Sequence, residues 1–88
     1  MAEQLKVARD DLAQAEKTAD GDAREEIRET ADAYRDYVIG DHEPDHTVID
    51  QHLNTLRQLQ QDVSGDTKTR IDHALEATEN YRKTLEQT

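Results

Sequence analysis

A chain of 88 residues, 36% charged and 33% hydrophobic, with three tyrosines as its only aromatics and a formal net charge of −10, has room for one domain with a thin core. The acid excess offers nucleic-acid phosphates no counter-charge, and the lack of cysteine excludes disulfides and thiolate chemistry. No apolar run approaches the ~20 residues that span a bilayer and no signal-peptide core opens the chain, so a cytoplasmic protein without a membrane partner is expected.

The first apolar stripe, Leu5, Ala8, Leu12, Ala15 and Ala19, steps by three and four and predicts an amphipathic helix. It stops at "ADGDA", where Gly21 can take the left-handed conformation of a helix end and Asp22 can cap the next helix. Ile27, Ala31, Tyr34 and Val38 mark a second helix, for which Gly40 is expected to provide the same left-handed stop. The loop 40–45, "GDHEPD", holds the only proline. Asp45 can cap the third helix, and Glu43 with Pro44 at the first helical position is a second possible start. Ile49, His52, Leu56, Leu59 and Val63 form the third stripe. "SGDTK" repeats the first turn, with Gly65 as stop and Asp66 as cap. Ile71, Ala74, Thr78, Tyr81 and Leu85 form the fourth stripe.

Gly21 and Gly65 lie half a chain apart, and the same shift lays Leu5 on Ile49, Leu12 on Leu56, Ile27 on Ile71 and Tyr37 on Tyr81. The turns are too short for anything but antiparallel neighbours. The expected fold is therefore all-α: a four-helix up-down-up-down bundle built from two αα-hairpins. It forms a single domain over 1–88, with hairpins 1–40 and 45–88 joined by the loop 40–45. The first two stripes are rich in alanine and bury little area, which leaves apolar surface for a second copy of the chain to complete. A homodimer is the expected partner state.

Few residues invite chemistry. The two Gly-Asp turns fail as calcium loops, because Ile27 and Ile71 stand where a bidentate Glu is required. A di-iron bundle needs two Glu-x-x-His motifs, and only Glu43 with His46 matches. The one serine, Ser64, sits in a turn with no nucleophile–base pairing in view. Asp45, His46 and His52 are the candidate ligand or partner surface, since three of the four histidines gather around Pro44. On one helix His46 and His52 are separated by about 120° and 9 Å, so they cannot chelate one ion unaided; a zinc site would need Asp41, His42 or another helix to fold back. No cofactor and no catalytic residue is expected.

At "PDHTVIDQHLNTL" the chain resembles a family of small acidic helical proteins of halophilic archaea, through Pro44, Asp45, His46 and His52, with "YRKT" at 81–84 also similar. Thr47 and Val48 stand where that family has a Gly-Arg pair. The resemblance implies a helical fold and an archaeal cytoplasm, and it brings no activity. Composition agrees with a salt-rich setting: Asp exceeds Glu, Arg exceeds Lys, and threonine is plentiful. Carboxylates hold water and hydrated cations, and molar salt shortens the Debye length to about 3 Å, which screens their repulsion. The expected function is a non-enzymatic protein-interaction module adapted to high salt, with a metal- or small-ligand-binding protein as the alternative.

Overall fold

A computed structural model describes residues 3–40 and 43–86. It holds four helices and, among the described residues, no strand: α1 (Glu3–Thr18), α2 (Gly21–Ile39), α3 (His46–Asp62) and α4 (Gly65–Glu86). The bundle measures 37 × 22 × 18 Å. Every residue of the first stripe is buried, and Ile27, Tyr34, Ile49, Leu56, Leu59, Ile71 and Thr78 join it in the centre. Leu53 on α3 and Leu75 and Ala77 on α4 are buried beside them, widening the third and fourth stripes beyond the minimal set of the sequence reading.

The two short turns work through their glycines. Gly21 and Gly65 have φ of 59° and 62°, a region that costs a side-chain-bearing residue roughly 1–2 kcal/mol. The caps differ from expectation. Asp20 and Ser64, not Asp22 and Asp66, supply the first carbonyls, accepting from Arg24 N and Lys68 N. Asp20 occupies the N-cap position of α2 without a side-chain bond, while Asp22 and Asp66 sit in the first turns, where a negative charge meets the positive helix end. Gly40 is also a correction: its φ of −81° and ψ of 169° are extended, so α2 ends without a left-handed residue. At α3 the choice between starts falls to Asp45, whose Oδ1 accepts from Val48 N at 3.0 Å.

Helix α1 packs on both α2 and α4, and α4 packs on α3. Contacts fix the directions. Thr18 at the end of α1 bonds Thr67 in the opening turns of α4, so these helices run antiparallel. Tyr34 and Thr78, 44 residues apart and thus equivalent in the two repeats, share a 2.7 Å hydrogen bond between α2 and α4. Thr78 in turn donates to Ala74 O, which leaves its oxygen to accept from the phenol. A bond between equivalent residues is what a twofold relation between the hairpins requires near its axis.

That relation predicts two alike seams between the hairpins, α1 with α4 and α2 with α3. They differ. The α1–α4 seam is closed, whereas α2 and α3 approach each other least of all neighbouring pairs. Side-chain size explains the difference. Ala8 and Ala15 lie on the α1 face from which Asp11 and Thr18 reach α4, and Ala74 and Ala77 continue the opposing row. Their equivalents facing the other seam are His52, Leu59, Thr30 and Ala33. Three of the four have grown, and the backbones stand apart.

Candidate functional site

The open seam contains the one sequence-predicted site residue with an elaborate environment. His52, half-buried on α3, accepts or donates at Nε2 to the Tyr37 hydroxyl at 2.9 Å. Its ring also stands edge-on to Tyr34, with centroids 5.0 Å apart, and to Tyr37 at 5.7 Å. These aromatics bridge the gap that the backbones leave. Burial holds the His52 imidazole below its ordinary value of 6.5, which favours the neutral ring. Burial likewise raises both phenols, with Asp36 and Asp45 adding to the effect at Tyr37.

Asp45, His46 and His52 therefore have separate surroundings. Asp45 spends a carboxylate oxygen on the α3 cap and lends its charge to the neighbourhood of Tyr37. His46 is exposed in the first turn of α3. His52 turns to the tyrosines. Among the described residues no three His, Asp or Glu side chains are grouped to hold a metal ion. Asp41 and His42, which a zinc site would have needed to fold back, lie outside the described residues.

Outward of His52 lies a groove of about 280 Å³, walled by Glu26, Glu29 and Thr30 of α2 and by Gln51, His52 and Thr55 of α3. Thr30 donates to the Glu26 carbonyl and so is committed to its own helix. The groove's carboxylates meet no Arg or Lys within it.

The closed seam shows the same places filled differently. There Arg70, His73 and Ala74 of α4 replace Glu26, Glu29 and Thr30, while Val7, Ala8 and Asp11 of α1 replace Gln51, His52 and Thr55. Asp11, nearly buried, accepts from Arg70 at 3.2 Å and stands 3.9 Å from His73. A cation on one hairpin meets a carboxylate on the other. In the open seam both carboxylates come from α2, and α3 brings only neutral groups. Sequence reading singled out His52 from the gathering of histidines around Pro44 but passed over Glu26 and Glu29, which look like ordinary solvated acids. The repeat could have found them, had it been used to compare charges as well as apolar positions.

The family of unknown function DUF7553 matches residues 1–84. The chain belongs to that family. No curated protein and no solved structure matches it. Family membership thus covers both hairpins and the open seam, and it carries no activity with it.

Proposed function

We propose that the chain is a non-enzymatic protein-interaction module working in high salt, with the α2–α3 groove as its recognition surface. One observation supports this reading above others. The α2 and α3 backbones approach each other least of the neighbouring pairs, and His52 with two tyrosines and a polar groove lies between them. The core does not require a second chain for its large apolar groups: Val7 and Ile39 are the large hydrophobics left exposed among the described residues. Two such side chains are a small beginning for the apolar centre of an obligate dimer. The partner is better sought at the groove, and self-association, if it occurs, belongs to the weak and polar class.

The alternative, a small-ligand or metal protein using Asp45, His46 and His52, has less behind it, because Asp45 and His52 already hold internal hydrogen bonds. Purification of the untagged chain from its own cells in molar potassium chloride tests the proposal. Light scattering should report a mass above that of one 10.1 kDa chain, from a second protein held with it or from a second copy. A strict monomer holding nothing, or stoichiometric metal in elemental analysis, would count against it.

A further inference from the structure

We propose that His52 is an acid-released latch: its bond to Tyr37 ties α2 to α3 at neutral pH, and charging the imidazole turns the ring outward and lets the two helices part. The proposal goes beyond the interaction reading and stands without it.

The geometry makes this bond a tie. The α2 and α3 backbones approach each other least of the neighbouring pairs, so side chains must span the gap. Among the described residues, the 2.9 Å contact of the Tyr37 hydroxyl with His52 Nε2 is the one hydrogen bond between these helices. The imidazole stands edge-on to Tyr34 and Tyr37, and Tyr34 continues the line to α4 through Thr78. The bonds between α1 and α4 do not involve His52: Thr18 meets Thr67, and Asp11 accepts from Arg70. Loss of the tie therefore frees α3 from α2 and leaves α1 on α4.

Protonation acts on the tie directly. A neutral imidazole needs one acceptor for its N–H, whereas a charged ring carries donors on both nitrogens. On Tyr37, His52 makes a hydrogen bond at Nε2 alone, and burial penalises the charged form. Glu26 and Glu29 of α2 wall the groove outward of the ring, and Asp36 and Asp45 lie near the Tyr37 hydroxyl. Gln51 and Thr55 of α3 and Thr78 of α4 are neutral, and α1 does not pack on α3. The charged groups facing the imidazole are thus all carboxylates. Turning outward removes the burial penalty and keeps the carboxylates, so the outward ring binds a proton more tightly than the ring on Tyr37. The proton is then a ligand with unequal affinity for two states, and acid shifts the population to the parted one.

The test uses the full chain, ¹⁵N-labelled, in molar potassium chloride from pH 7 to pH 5. Ring nitrogen signals should show His52 titrating below the exposed His46, with Overhauser contacts to the Tyr37 ring lost along the same curve. Amide exchange, corrected for its intrinsic pH dependence, should quicken over 30–37 and 48–55 by about fivefold or more relative to α1 and α4. His52→Gln keeps a partner for Tyr37 but holds no proton, and should lose this differential response. Tyr37→Phe removes the tie at every pH and should show the fast exchange already at pH 7.

Titration of His52 at or above His46, or contacts to Tyr37 that survive in the charged form, would overturn the latch in the wild-type protein itself. Exchange that quickens equally in all four helices would do the same, since the bundle would then loosen as a whole. So would an undiminished differential response in His52→Gln, which would make another group the sensor, or slow exchange at pH 7 in Tyr37→Phe.

Discussion

Tyr37 and Tyr81 stand at equivalent places in the two repeats, yet their hydroxyls have opposite fates. Tyr37 meets His52, whereas Tyr81, 4% exposed, has a buried hydroxyl with no hydrogen-bond partner among the described residues. The residue that would serve it by symmetry is Ala8, whose small size closes the α1–α4 seam. Packing has therefore been gained at the expense of one unsatisfied phenol. Tyr81→Phe removes that burden and is expected to leave stability unchanged or raise it by up to ~1 kcal/mol. Tyr34→Phe, which breaks a satisfied bond to Thr78, should instead lose about 1 kcal/mol. Urea midpoints of the two variants decide the matter, and equal losses would mean that Tyr81 finds a partner in solution.

His52 makes a second residue-scale prediction, about pH. Its imidazole is held below 6.5 by burial, so the unfolded chain binds the proton more tightly than the folded one. Its neutral-state contribution is whole above about pH 6.5 and is lost as pH falls below that value. The thermal midpoint of wild type should fall between pH 7 and pH 5 relative to that of His52→Gln, which can still bond Tyr37. Parallel curves for the two proteins would show that the site does not sense protons.

At the scale of elements, the helices were legible because their apolar positions recur at three and four, and the two turn glycines take the expected positive φ, although each opens the following helix, α2 or α4, instead of closing the one before. The caps were less legible. Asp20 and Asp22 flank the same glycine, and only the backbone decides which of them precedes the first turn. Gly40 failed as a left-handed stop for a related reason, since the chain leaves α2 in an extended path toward Pro44 and a glycine permits but does not demand positive φ. The seams were least legible of all. Whether two helices approach closely depends on pairs of residues from distant segments, such as Ala8 with Ala74 or His52 with Thr30. A periodicity read along one helix at a time does not contain that information. The half-chain shift did contain part of it: Ala8 aligned with His52 is one of the three enlargements between α2 and α3.

For the whole molecule the question is how ten unbalanced negative charges are tolerated on so small a body. Several of the cations already act locally. Arg57 pairs with Glu79, Arg82 with Asp50, Lys68 with Asp72, and Arg70 with Asp11. All but the last are well-exposed pairs, each worth about 0–1 kcal/mol and each weakened by salt. The repulsion among the remaining carboxylates is also screened by salt, and it is the larger quantity, because 21 acids face 11 bases. Salts excluded from the surface strengthen apolar burial as well. The signs therefore add to net stabilisation by salt. Lowering potassium chloride from molar to tens of millimolar should reduce the thermal midpoint by more than about 5 °C, equivalent to roughly 1 kcal/mol for a domain of this size. Helicity by circular dichroism should fall with it. An unchanged midpoint would mean that the ion pairs and the repulsion cancel, and the acid excess would then need an explanation other than salt, with acidic attraction of a basic partner the first to examine.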